Sequence, residues 1–122
     1  ASPMTRRTNP AYAPVVSIVV GQGVTYEFVL YAIDGNGAAI DISGAAIYMQ
    51  GRQIYNGPLV WEASVTSVIN GPGGIAYAKL VPADTASVVV LDGVWDAEAH
   101  LPSGDVIRFY QGPYAMSQQV CQ

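Results

Sequence analysis

Short segments in which apolar and polar residues alternate fill most of this chain, and they predict β-strands. The clearest begins at Trp95, where Trp95, Ala97, Ala99 and Leu101 share one face and polar residues occupy the other. Turns rich in Gly, Asn, Asp and Pro separate the segments. Strands are predicted at residues 15–20, 24–33, 47–54, 59–69, 75–80, 94–101 and 106–110, with 114–120 as a final one.

Three local features refine this pattern. Pro82 opens a single helical turn over residues 82–88, because proline suits the first position of a helix. Gly51 interrupts the third strand and is expected to mark a bulge. Gly112-Pro113 is expected to break the last strand. Regular spacing of about seven to nine short strands predicts an all-β, antiparallel β-sandwich.

The first 14 residues carry three prolines and no periodicity. They predict an extended N-terminal arm that is either disordered or laid across a neighbouring molecule, with the second favoured in an assembly protein. The β-sandwich domain is expected to cover residues 15–122. The second strand is apolar on both faces, because Val29, Tyr31 and Ile33 continue the face opposite Phe28. Such a strand is either buried on both faces or presents one of them to a partner.

Composition narrows the classes of function. Only 11% of the 122 residues are charged, against about 25% in a typical domain, while 51% are hydrophobic. A surface so poor in charge favours a protein whose neighbours cover it. The net charge of −4 and the single basic pair, Arg6-Arg7, argue against nucleic-acid binding. No apolar run approaches the length of a membrane span, and the lone cysteine, Cys121, has no internal disulfide partner.

The sequence contains no strong candidate for a catalytic or metal site. Asp96, Glu98 and His100 share one strand face and suggest a metal site, but residues two apart on a strand lie roughly 7 Å apart, so a solvated polar face is favoured. A calcium loop beginning at Asp34 lacks the required glycine and glutamate. No Ser–His–Asp arrangement or nucleotide-binding loop is present in the sequence. We therefore expect no enzyme activity, no cofactor and no metal.

Aromatic residues near turns and termini are the expected contact points, since aromatic side chains supply rigid contact area at interfaces. Together with the basic pair of the arm, the partner-facing candidates are Arg6, Arg7, Tyr12, Tyr55, Tyr110 and Tyr114. A platform of Tyr55, Trp61 and Tyr110 would instead suit a carbohydrate-binding surface module.

The order of the turn motifs resembles a known family. Asp34-Gly35 followed by the DISGA segment at 41–45, the segment from Gly74 through the PADTA turn at 82–86, and the GVWDAE segment at 93–98 occur in sequence. They are similar to the "DG…DLSGA", "GxIxLxLPAADTA" and "GxWxYDLE" patterns of the small immunoglobulin-like domain of tailed-bacteriophage virion proteins. That domain is best known at the N-terminus of upper baseplate and tail-fibre attachment proteins.

The resemblance covers about residues 15–120 and implies an immunoglobulin-like β-sandwich without catalytic residues. It further implies a structural component of the virion, in a tail, baseplate or fibre attachment. Its expected partners are other virion proteins, and its expected state is a homo-oligomer or several copies in a symmetric assembly. A capsid decoration or cement protein is the alternative within the same class.

Overall fold

The computed structural model describes residues 14–118, which form two β-sheets packed face to face. The elements in chain order are β1 (Ile18–Gly21), β2 (Tyr26–Tyr31), β3 (Ala46–Arg52), β4 (Leu59–Glu62), β5 (Val65–Asn70), β6 (Ile75–Leu80), α1 (Pro82–Thr85), β7 (Asp92–His100) and β8 (Val106–Ser117). The large sheet has the strand order β1-β8-β7-β3-β4, and the small sheet has the order β2-β6-β5. The predicted all-β sandwich with one short helical turn is confirmed.

Small and large side chains alternate across the core. The central strands β6 and β7 turn the alanines at 76, 78, 97 and 99 inward, all fully buried, which lets the two sheets approach closely. Larger side chains from the flanking strands, together with Trp95 of β7, fill the remaining space. The largest buried ones are Leu30, Met49, Trp61, Trp95, Phe109 and Tyr114.

Not every strand pair is antiparallel. β1 runs parallel to β8, with Ile18 opposite Tyr114 and Gly21 opposite Ser117. Just before β1, Val16 donates its N–H to the carbonyl of Gln111 (2.8 Å). The indole N–H of Trp95 donates to the carbonyl of Val16 (2.9 Å), so the core strand β7 also anchors this segment.

The stretch predicted as one strand over residues 59–69 forms two strands in different sheets. Its inward positions shift from Trp61 and Ala63 to Thr66 and Val68, and Val65 is exposed. The chain crosses between sheets at Ser64, whose N–H and hydroxyl both donate to the Asp84 carboxylate (3.1 and 3.0 Å). The crossing is thereby tied to α1.

β8 also departs from the prediction, because it continues through Gly112-Pro113 as one strand of 12 residues. A register shift opposite Ala97 and Glu98 moves its inward side chains from Ile107 and Phe109 to Tyr114 and Met116. Gly112 permits this path, since a side chain there would overlap the backbone of Val16. The bulge expected at Gly51 is confirmed by a register shift between Gly51 and Arg52.

Candidate functional site

Two surfaces, one on each sheet, stand out on the described part of the chain. The first is the outward side of the small sheet, where β2, β5 and β6 present apolar side chains to solvent. This apolar face consists of Val29, Tyr31, Val65, Ile69, Ile75 and Tyr77. Tyr31 lies opposite Ile75 and Val29 opposite Tyr77, so these four side chains are contiguous. Along β5, Ser67 separates Val65 from Ile69.

The exposure of the apolar face is large for such residues. Val29 and Tyr31 are each 49% exposed, and Ile69 is 58% exposed. The one charged pair on this side is Glu27 opposite Lys79, at the end of the patch. Desolvation by burial, followed by the charge of Glu27 and a hydrogen bond to it, raises the pKa of Tyr77, so this tyrosine keeps its proton.

The second surface is the outward side of the large sheet. Two adjoining depressions of about 430 and 290 Å³ share Gln50, Arg52, Asp96 and Glu98 in their lining. We call them together the polar groove. The strand register explains the grouping, because Asp96 lies opposite both Gln50 on β3 and Gln111 on β8. The outward polar side chains of β7 thus lie between those of β3 and β8 in the polar groove.

Hydrogen bonds hold the charged side chains of the polar groove in place. Arg108 donates to Glu98 (3.0 Å) and lies 3.5 Å from Asp96. Arg52 donates to the side-chain oxygen of Gln50 (3.0 Å) and to the carbonyl of Gly57 (2.6 Å). These internal contacts fix the direction of both guanidinium groups and of the Glu98 carboxylate.

The electrostatics of the polar groove are balanced. Two guanidinium groups face two carboxylates. Partial burial and the neighbouring Glu98 charge raise the pKa of Asp96, against the opposing effect of Arg108, Arg52 and His100. Arg108 lies nearer to Glu98 (3.0 Å) than to Asp96 (3.5 Å), so Asp96 has the longer ion-pair contact of the two carboxylates.

The residues suggested for a metal do share a face, as the alternation predicted. Glu98 contacts His100 (3.1 Å) and Arg108 at once, while the His100 ring packs edge-on against Tyr48 at 4.7 Å. Among residues 14–118, no group of three or more His, Cys, Asp or Glu side chains is placed to hold a metal ion. The same residues include no helix long and apolar enough to cross a membrane.

The aromatic candidates separate into three groups. Tyr55 is 54% exposed on the loop after β3 and lines the polar groove. Tyr110 is half-buried against Trp95. Tyr114, expected to face a partner, is instead buried: its hydroxyl donates to the carbonyl of Val90 (2.8 Å).

Trp61, expected in a sugar platform with Tyr55 and Tyr110, is also buried and packs edge-on against Tyr114 at 5.4 Å. That platform is therefore wrong. Arg6, Arg7, Tyr12 and Cys121 lie outside the described residues. Sequence reasoning did not select Gln50, Arg52 and Arg108, and the signal available for them was their polar character at outward positions of predicted strands.

No family model matches this sequence, and no curated protein matches it.

Proposed function

We propose that this chain is a structural component of a tailed-phage virion that acts by docking to other virion proteins through its apolar face. The observation that carries the proposal is the six-residue patch on the small sheet, with three of its side chains about half exposed. An exposed apolar patch on a protein surface is often a functional contact site. The order of motifs shared with the phage immunoglobulin-like domain supports the virion as the setting.

The size of the apolar face supports a role in a multi-contact assembly. Three strands about 4.8 Å apart and five residues of about 3.4 Å each give a flat area of roughly 250 Å². A typical stable two-protein interface buries about 800 Å² on each partner. The patch is too small to hold one partner tightly alone, but it suits a subunit that several neighbours hold at once.

The chemistry of the apolar face also defines the partner. Its centre is uncharged, and the Glu27–Lys79 pair balances its own charge at one end. Burial against a partner then costs little desolvation of charge. The expected partner surface is apolar and flat, such as the outward face of another sheet or the side of an amphipathic helix.

The test introduces charge on both edge strands of the apolar face. The double variant Val29→Lys plus Ile69→Lys removes apolar contact without touching the core, and Val106→Lys is the matched control. Val106 is a similarly exposed strand valine (51%) on the other sheet. Each tagged chain is expressed in cells infected with the phage that carries the gene, and purified particles are assayed for it.

Wild-type chain and the Val106→Lys control are expected in the particles, and the double variant is expected to be lost from them. Thermal unfolding of each purified variant confirms that it folds. If wild-type chain is missing from the particles, the virion assignment is wrong. If the folded double variant enters as efficiently as wild type, the apolar face is not the docking surface.

A further inference from the structure

The polar groove on the large sheet is a separate feature that docking through the small sheet does not use. The polar groove lies on the outward side of the large sheet, whereas the apolar face lies on the outward side of the small sheet. Its larger depression, about 430 Å³, falls within the range of small-molecule sites. Its lining is mainly polar, which distinguishes it from sites for apolar ligands.

The charges of the polar groove select for an uncharged ligand. Arg52 and Arg108 supply two positive groups, and Asp96 and Glu98 supply two negative ones. A ligand of either charge would meet a like charge within the same groove, which costs binding energy. An uncharged ligand that both donates and accepts hydrogen bonds avoids this penalty, and hydroxyl groups do both.

The groove is also pre-organised. Its arginines are oriented by Gln50, the Gly57 carbonyl and the carboxylates, and most of these groups lie on three adjacent strands. Rigid strands fix the polar groups before binding, so less conformational entropy is lost when a ligand is held. Asp96 has spare acceptor capacity, because its closest described cation, Arg108, lies at 3.5 Å.

Aromatic rings stand at both ends of the groove. Tyr55 lines the larger depression and is 54% exposed, while Tyr48 lines the smaller one and is 40% exposed. Between them, β3 from Tyr48 to Arg52 spans roughly 14 Å. An aromatic ring offers a flat apolar surface for the apolar face of a sugar ring. This span along β3 is longer than one sugar ring and matches a short chain of sugar rings.

We propose that the polar groove binds a neutral oligosaccharide. Asp96 accepts hydrogen bonds from sugar hydroxyls, Arg52 donates to them, and Tyr55 and Tyr48 pack against sugar rings at the two ends. The site differs from the platform of Tyr55, Trp61 and Tyr110, since Trp61 is in the core.

The test uses the full chain and defined sugars. Probes are neutral oligomers of glucose, galactose, mannose and N-acetylglucosamine, together with sialylated and uronic-acid oligomers as charged counterparts. Wild-type protein is screened on an array of these glycans, and hits are titrated by NMR. Binding of at least one neutral oligomer is expected, with chemical-shift changes at residues of the groove.

Two variants test the roles of the lining residues. Asp96→Asn keeps the shape but removes a charged acceptor, and Tyr55→Ala removes an exposed ring; each is expected to weaken binding by about tenfold or more. Tyr31→Ala, on the apolar face, is the control and should bind like wild type. Thermal unfolding establishes that every variant is folded.

Several outcomes would overturn the proposal. These are no binding of any neutral oligomer at millimolar concentration, a preference for charged glycans, and unchanged affinity in both groove variants. Because Tyr31 and the other docking residues lie on the opposite sheet, failure here leaves the docking proposal standing, and failure of docking leaves this one standing.

Discussion

At Gly51 one added methyl group should be costly, because a buried aromatic ring fills the space beside it. A Cβ atom there would overlap Cε2 and Nε1 of the Trp61 indole and lie 2.6 Å from Cζ2, where ordinary contacts begin at 3.4 Å. The ring cannot retreat freely, because it is buried and packs edge-on against Tyr114. Gly51→Ala therefore forces the indole out of its packed position.

The magnitude follows from two opposing effects. Overpacking a core costs about 1–3 kcal/mol. Replacing glycine by alanine on an extended backbone returns about 0.4–1 kcal/mol, because the unfolded chain loses freedom. A net loss of about 1–2 kcal/mol is expected, which for a domain of this size lowers the melting temperature by roughly 4–10 °C.

A double-mutant cycle tests the cause. Trp61→Leu opens space beside Gly51, so Gly51→Ala in that background should be neutral or slightly stabilising, giving a coupling energy of about 1–2 kcal/mol. Gly35→Ala is the control, because nothing lies within 4 Å of an added Cβ there. Urea denaturation supplies the free energies of unfolding. An equal cost of Gly51→Ala in both backgrounds would refute the reasoning.

Three further predictions concern single polar groups. Thr85 is fully buried and its hydroxyl accepts the Gly23 N–H (2.8 Å), so Thr85→Val should cost about 1–3 kcal/mol in urea denaturation, whereas Thr85→Ser should cost less by keeping the acceptor. Tyr114→Phe should lower stability by about 1 kcal/mol in the same assay, because the Val90 carbonyl loses its donor; an unchanged midpoint would contradict this. Burial raises the pKa of Asp96 above 3.8 in the folded state, so the folded protein holds this proton to higher pH than the unfolded chain does. The contribution of Asp96 to the free energy of unfolding therefore falls as the pH rises from 3.8 through the raised pKa. In a series of melting temperatures measured against pH, Asp96→Asn should remove that decline, and the variant should be at least as stable as wild type at neutral pH. A steeper decline in the variant would contradict the upward shift of the Asp96 pKa.

The alternation of apolar and polar residues located the strands well where it was uninterrupted. β6 was predicted with its bounds, and the outward grouping of Asp96, Glu98 and His100 on β7 was correct. At Ser64 and around Phe109 the inward-facing side chains change from odd-numbered to even-numbered positions, and neither change was predicted. A local pattern cannot tell a bulged or crossing chain from a continuous strand, because both retain apolar residues on either side.

Features that depend on strand register could not be predicted from the sequence. The alternation does not show which strands are neighbours, so it did not predict that Gln50, Arg52 and Arg108 lie near Asp96. The burial of Tyr114 likewise depends on distant residues, namely Trp61 and the Val90 carbonyl. The parallel pairing of β1 with β8 joins segments almost a hundred residues apart.

That parallel pair determines how the domain resists tension. β1 lies near the start of the described chain and β8 ends near its close, and the two strands run side by side in the same direction. Pulling the two ends of the chain apart shears β1 along β8, so the hydrogen bonds between them share the load and do not open one at a time. Forced unfolding is governed by the barrier to that first rupture. A chain end tethered at each side of this domain would thus be held by a mechanical clamp.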